Sequence, residues 1–129
     1  MGDYRKLHVW RKAHALAINV HRDAGRIRGA TYTSLRSQLI RAAMSIAANI
    51  VEGRSQATER EFARFLRYSL NSAWELEYHL TVARDVKALS NKDFTPLAAE
   101  VIEVRKMLYG LSKSLATGPK NKHESVPRQ

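Results

Sequence analysis

The sequence predicts an all-α protein, an antiparallel up-down-up-down four-helix bundle. Two observations predict this class: apolar residues recur three or four positions apart in four successive segments, and no strand-like alternation competes with that period. A third observation, the shortness of the connections, favours antiparallel neighbours. Residues 117–129 show no periodicity and are predicted to form a disordered basic tail. We expect one domain over residues 1–116, with helices at about 7–27, 34–53, 58–87 and 91–116.

The first predicted helix pairs an apolar stripe with a basic outer side. The stripe is formed by Trp10, Ala13, Ala17, Val20 and Ala24. The outer side carries Arg11, Lys12, Asn19, Arg22 and Arg26. His14 and His21 lie seven residues apart beside the stripe and could bind a ligand or sense pH, but histidines at the edge of a core are more often held by hydrogen bonds.

The second predicted helix is apolar over more than half of its circumference. Its inner face is formed by Leu35, Leu39, Ala42, Ala43, Ile46, Ala47 and Ile50, and it is widened by Ile40, Met44 and Val51. This breadth is typical of a bundle helix that also meets another subunit, and we expect Ile46 to lie in that interface. Gly53 is interpreted as the end of the helix, where glycine adopts a left-handed conformation without strain.

A line of polar residues runs between the edges of this apolar face. The line consists of Gln38, Arg41, Ser45, Asn49 and Glu52. The third predicted helix has a matching edge of Glu61, Tyr68, Ser72, Glu75 and His79. Opposite charges on two facing edges can pair and fix the register of the helices. The two lines therefore form either a register and interface network, which we favour, or a binding groove.

The third and fourth helices have recognisable starts. Thr58 and Glu61 match a capping box that begins the third helix. Either Ser90 with Asp93, or Thr95 before Pro96, can begin the fourth. The apolar stripe of the third helix is Phe62, Phe65, Leu66, Ser69, Ala73, Leu76, Leu80 and Ala83. The seam of the fourth is Leu97, Val101, Val104, Leu108, Leu111 and Leu115.

The composition excludes several kinds of site. No cysteine is present, which excludes disulfides, thiolate metal sites and thiol catalysis. No serine lies beside a plausible base, and the sequence has no glycine-rich phosphate loop. Glu75 and His79 are four residues apart rather than the three of a di-iron motif, so we expect no metal and no cofactor. These features favour a non-enzymatic protein.

No apolar run follows the N-terminal residues, and no stretch approaches 18 uninterrupted apolar residues. We therefore expect neither a secretory signal nor a membrane span, and a cytoplasmic location.

The charge is strongly positive. The chain has 22 Lys and Arg against 12 Asp and Glu, a net charge of +10, and its isoelectric point of about 10.3 exceeds the ~9 typical of nucleic-acid-binding domains. Rows of arginine on the first and third helices could neutralise phosphates, and a nearby tyrosine could stack on an unpaired base. These candidate residues are Arg11, Arg22, Arg26, Arg60, Arg64, Arg67 and Tyr78.

No base-reading motif is present, so binding to RNA or DNA should be salt-sensitive and weakly selective. The alternative interpretation is that the charge serves solubility only and that the partner is a protein.

Several segments together carry a family resemblance. Residues 38–53 contain the core Ser-Ile-x-x-Asn-Ile-x-Glu-Gly, residues 61–66 read Glu-Phe-Ala-Arg-Phe-Leu, and residues 75–80 read Glu-Leu-Glu-Tyr-His-Leu. These segments resemble the four-helix-bundle proteins encoded within intervening sequences of bacterial 23S rRNA genes. Residues 7–13 and 107–111 also fit, so the resemblance covers about residues 4–115.

The resemblance implies a closed ring of bundles, a homopentamer, and kinship with the accessory proteins of diversity-generating retroelements, which work with a reverse transcriptase and nucleic acid. The family has no established enzymatic activity. Asn71 departs from the small residue that is more usual before Ser72. The signature positions fall on Arg41, Ser45, Asn49, Glu52, Gly53, Glu61, Phe62, Phe65 and Glu75.

We therefore expect a non-enzymatic ring that binds nucleic acid, above all structured RNA. The alternative is an oligomeric scaffold for a protein partner.

Overall fold

The protein, represented by a computed structural model that describes residues 2–116, consists of four α-helices and two short 3-10 helices. The predicted all-α class is thereby confirmed. The predicted tail, residues 117–129, lies outside the described residues. The α-helices are α1 (His8–Ala24), α2 (Thr33–Arg54), α3 (Glu59–Asp85) and α4 (Asn91–Ala116), and the 3-10 helices cover Tyr4–Lys6 and Ala30–Tyr32.

The helices pack in sequence order around one apolar core. Each helix packs against the next, and α4 returns to pack against α1. This order agrees with the up-down arrangement expected from short connections. Most of the core is supplied by the predicted helical stripes, since residues three or four apart lie on the same side of a helix. In α1 the buried Val9 and Leu16, which were not in the predicted stripe, also belong to the core, whereas Trp10 is only partly buried. Its largest fully buried side chains include Phe62, Leu16, Leu39, Ile46, Ile50, Leu66, Leu76, Leu80 and Leu108.

Ile46 belongs to this core, and its predicted role in an interface between subunits was wrong. Its side chain is fully buried within a single chain, together with Leu39 and Ile50 of the same helix. A residue without exposed surface cannot contact a second copy unless the bundle opens. The breadth of the apolar face has a different basis: its inner part fills the core, Ile40 is partly buried against the edge of the core, and Met44 is exposed.

Gly53 does not end α2 in a left-handed conformation, so that prediction was also wrong. The helix continues through Arg54, and within the described residues the glycine with positive φ is Gly29. A Cβ added to Gly53 would lie 2.8 Å from Cβ of Phe65 and 3.0 Å from Cδ1 of Phe62. The glycine therefore lets α2 and α3 approach closely where the two helices are joined.

The helix starts agree in part with the predicted caps. The Thr58 hydroxyl accepts a hydrogen bond from the backbone N–H of Glu61 at 3.1 Å, whereas the Glu61 carboxylate pairs with Arg64 instead of completing the capping box. Ser90 accepts a hydrogen bond from the backbone N–H of Asp93 at 3.2 Å, which selects Ser90 as the start of α4. α1 ends at Ala24, three residues before its predicted end.

α3 ends in a Schellman motif centred on Lys87. This residue has φ of 65°, the left-handed conformation that usually belongs to glycine. The backbone N–H of Ala88 donates to the carbonyl of Ala83 at 2.9 Å, and that of Lys87 donates to the carbonyl of Arg84 at 2.9 Å. The motif turns the chain from α3 into α4.

The interface between α1 and α4 carries polar pairs at its edge. Lys12 lies 3.5 Å from Glu103, and Asn19 donates to both carboxylate oxygens of Glu100 at 3.1 Å. Near the other end, Arg26 lies 3.5 Å from Asp93. These pairs connect the first and last helices of the chain.

Candidate nucleic-acid interface

Part of the predicted polar line is a hydrogen-bond network between α2 and α3. The hydroxyls of Ser45 and Ser72 lie 2.9 Å apart, and the Asn49 amide donates to the carbonyl and hydroxyl of Ser45 at 2.9 and 3.1 Å. One turn away, the buried Ser69 hydroxyl donates to the carbonyl of Ile46 at 2.7 Å. Because these side chains are hydrogen-bonded to one another between the two helices, they favour the register network over a binding groove at Ser45 and Asn49.

The remaining members of the line are not brought into this network. Within residues 2–116, the side chains of Gln38, Arg41 and Glu52 form no hydrogen bond or ion pair with α3. Glu61 pairs with Arg64 on its own helix. Glu75 lies 3.8 Å from Nε2 of His79, a nitrogen that is otherwise buried without a hydrogen-bond partner among the described residues.

The predicted arginine row on α1 serves largely to hold a buried carboxylate. Asp23 is buried, and Arg22 and Arg26 approach its Oδ1 at 3.0 and 3.3 Å. A buried charge needs such partners because its desolvation is otherwise uncompensated. The third member, Arg11, donates to the backbone carbonyl of Arg5 at 3.0 Å. The local charge available to phosphates is therefore smaller than the count of arginines suggests.

The arginine row on α3 divides into one paired and two unpaired members. Arg64 donates to Glu61 at 2.7 Å and to the Tyr68 hydroxyl at 3.0 Å, and these contacts raise the pKa of its guanidinium. Arg60 and Arg67 are exposed and form no ion pair with any described residue. Tyr78 is exposed and follows Arg67 by 11 residues, a spacing that places it on the same outer side of α3.

A second cluster on α3 and α4, which was not among the predicted sites, lies beside this outer side. The Arg105 guanidinium lies 3.9 Å from the centre of the Trp74 ring, and its Nε donates to Glu77 at 3.2 Å. Trp74 nevertheless remains 53% exposed and Tyr109 60% exposed. A groove of about 170 Å³ is lined by Leu70, Trp74, Arg105, Lys106 and Tyr109.

The sequence held one signal for this cluster. Trp74 falls outside the apolar stripe of α3, and a large aromatic residue off the core side is an informative exception. Its partner Arg105 is 31 positions away on another helix, so no spacing rule could have joined them.

The outer side of α2 has an apolar depression. Met44 is 56% exposed, Ile40 is half-buried, and Ala48 is exposed. Ser37, Arg41 and Ser45 border these residues in a shallow depression of about 540 Å³.

No helix within residues 2–116 is long and apolar enough to span a bilayer. Over the same residues, no group of three or more His, Cys, Asp or Glu side chains is placed to hold a metal ion.

The profile of the 23S rRNA-intervening sequence protein family matches residues 5–110. The chain belongs to this family. A solved structure has a similar fold, with a TM-score of 0.77. It is that of a protein of unknown function from the S23 ribosomal protein family of Bacteroides thetaiotaomicron VPI-5482. That comparison has 22% sequence identity and covers 81% of this chain and 98% of the other. No curated protein matches this family member significantly.

Proposed function

We propose that this protein is a non-enzymatic cytoplasmic bundle that assembles into a ring, a homopentamer, and binds RNA through basic outer faces. Membership of the 23S rRNA-intervening sequence protein family supports the fold. The ring and the nucleic acid are what the family resemblance implies, and each is supported by a separate surface of the molecule.

The observation that carries RNA binding is the outer side of α3. Arg60 and Arg67 are exposed there without an acidic partner among the described residues, and Tyr78 is exposed on the same side. Phosphate binding requires cations that are not already neutralised, and aromatic side chains add stacking on unpaired bases. The paired arginines Arg22, Arg26 and Arg64 contribute less, because carboxylates already lie against them.

Assembly is supported by the apolar depression on α2. Its exposed Met44, with Ile40 and Ala48, would remove apolar surface from water if a second copy covered it. In a closed ring each subunit uses two different surfaces, one for each neighbour. We assign the α2 depression to one of these surfaces, in place of the buried Ile46.

The hydrogen bonds of the hydroxyls on the α2–α3 edge support the non-enzymatic part of the proposal. The hydroxyls of Ser45 and Ser72 are hydrogen-bonded to each other, and the Ser69 hydroxyl donates to the backbone carbonyl of Ile46. None of these three is hydrogen-bonded to a histidine or carboxylate that could activate it as a nucleophile.

The second candidate function is an oligomeric scaffold for a protein partner. The pairing of Arg22, Arg26 and Arg64 with carboxylates favours it, since these arginines act structurally. In this case the remaining charge serves solubility.

A salt series tests the proposal. The purified protein is titrated with a large-subunit rRNA fragment and with duplex DNA of equal length. The double variant Arg60→Glu/Arg67→Glu is compared with Lys87→Glu/Lys92→Glu, which makes the same change in net charge at two exposed positions, one in the α3–α4 turn and one in the first turn of α4.

We expect tight RNA binding that weakens steeply with salt, and a salt slope reduced by about 2 in the arginine double variant, one for each phosphate contact. The lysine double variant should keep most of the slope. Absence of binding to both polymers at moderate salt would contradict RNA binding and favour the scaffold.

A further inference from the structure

We infer that the groove between α3 and α4 is a stacking site for an unpaired RNA base, with Trp74 and Tyr109 as its aromatic surfaces and Lys106 and Arg67 beside it for the phosphates. This inference rests on the proposed RNA binding and names the part of the surface that distinguishes unpaired from paired RNA.

Trp74 is held in place but only partly covered. The Arg105 guanidinium lies 3.9 Å from the ring centre, and the ion pair of Arg105 with Glu77, at 3.2 Å, keeps the guanidinium there. Arg105 is itself largely buried, with 20% of its side chain exposed, whereas just over half of Trp74 faces solvent. An indole fixed from within the protein, with aromatic surface left open, is the arrangement that stacking on a base requires.

The size of the groove fits one base. Its volume is about 170 Å³, whereas sites for drug-sized ligands span roughly 300–1,000 Å³. The apolar side chain of Leu70 lines it, and Tyr109, with 60% of its surface exposed, adds a second aromatic ring.

The surrounding charge favours an anionic occupant. Glu77 offsets the charge of Arg105, but Lys106 lines the groove and forms no ion pair with a described residue. Arg67 lies seven residues before Trp74 on the outer side of α3 and is likewise exposed and unpaired there. A phosphate backbone complements these two unpaired cations.

The chemistry selects an unpaired strand. In a duplex the faces of a base are covered by its neighbours, so an aromatic side chain can stack only on a base that is already unstacked or at an end. Duplex RNA would use the basic residues alone.

The two tryptophans of the chain allow a direct test. Trp10 packs edge-on against Tyr4 and parallel to His14, with ring centres 4.9 and 4.8 Å apart, so it reports on the start of α1 and not on the groove. Trp74 is the single tryptophan of the Trp10→Phe variant, and Trp10 is the single tryptophan of the Trp74→Phe variant. Both variants are titrated with an unstructured 12-nucleotide adenine-rich RNA, with the same sequence as DNA, and with a 12-base-pair RNA duplex.

We expect the unpaired RNA to quench the fluorescence of Trp10→Phe and to leave that of Trp74→Phe unchanged. Trp74→Ala should bind this RNA about 5-fold to 100-fold more weakly, Trp74→Phe should retain most of the affinity, and neither should change duplex binding. Circular dichroism of each variant verifies the fold.

Three outcomes would overturn the inference. If the wild-type protein binds RNA but Trp74→Ala binds the unpaired strand equally well, stacking at Trp74 is excluded while the proposed function stands. If Trp74→Ala changes the sedimentation coefficient, the groove is an interface between copies. If the DNA strand binds as tightly as the RNA strand, the site is not selective for RNA. Failure of the wild-type protein to bind any of the three ligands would instead contradict the proposed function itself.

Discussion

Gly53 and Phe65 lie so close that a Cβ on the glycine would come within 2.8 Å of the Cβ of the phenylalanine. Both positions are held by helix backbones, so neither atom can rotate away. The close approach of α2 and α3 therefore depends on the absence of a side chain at Gly53.

Gly53→Ala should lower the free energy of unfolding by about 1–3 kcal/mol, the usual cost of overpacking a core. Gly110→Ala is the matched control, since Gly110 lies within α4 and an added Cβ there would meet no other helix and no side chain of residues 2–116 within 4 Å. The control should raise stability by about 0.5–1 kcal/mol, because alanine is the better helix former. Urea unfolding followed by circular dichroism measures both. Equal effects of the two substitutions would show that Gly53 has no packing role.

The Ser69 hydroxyl joins α3 to α2 through the carbonyl of Ile46. Ser69→Ala removes a buried hydrogen bond and should cost about 0.5–1.5 kcal/mol of stability. Ser37→Ala, on the exposed outer side of α2, should be neutral or slightly stabilising. Denaturant titration of the two variants distinguishes them, and an unchanged midpoint for Ser69→Ala would contradict a stabilising role for this bond.

Ile46→Glu should disrupt the fold, whereas Met44→Glu should disrupt only the assembly. Ile46 is fully buried, so a carboxylate there should unfold the chain, whereas Met44 is 56% exposed and should accept the charge without loss of helix. Under the proposed ring, Met44→Glu should yield folded protein of lower mass. Circular dichroism and analytical ultracentrifugation measure the two properties, and a folded Met44→Glu protein with the wild-type mass would exclude the α2 depression as an interface.

Lys87→Gly should stabilise the protein by up to about 1 kcal/mol. A non-glycine residue at φ of 65° is destabilised by about 1–2 kcal/mol, and glycine removes this strain. Part of the gain is offset, because glycine also increases the backbone entropy of the unfolded chain. Lys87→Ala is the control, because it removes the charge and keeps the strained conformation. Thermal unfolding of the two variants gives the comparison. If alanine stabilises as much as glycine, charge rather than backbone conformation is responsible.

The sequence predicted the four helices well because each one buries a stripe of apolar residues at helical spacing, and that pattern depends on neighbours along the chain. It failed at Gly53 because a glycine at the end of a helix and a glycine at a helix crossing look the same in sequence. The sequence also placed Arg22 and Arg26 among the phosphate-binding candidates. Their position on the outer side of a predicted helix does not reveal that both form ion pairs with the buried Asp23. Trp74 and Arg105 meet across two helices, and such a meeting becomes visible only when the helices are placed.

The packing order of the helices bears on how the chain folds. Three of the four interfaces join helices that are consecutive in the sequence, so their closure costs little loop entropy. The interface between α1 and α4 must instead bring distant parts of the chain together, and its edge is held by exposed polar pairs such as Lys12 with Glu103. Rapid folding is expected from the local interfaces. The seam between the first and last helices is where the native bundle should open most readily, before its hairpins come apart.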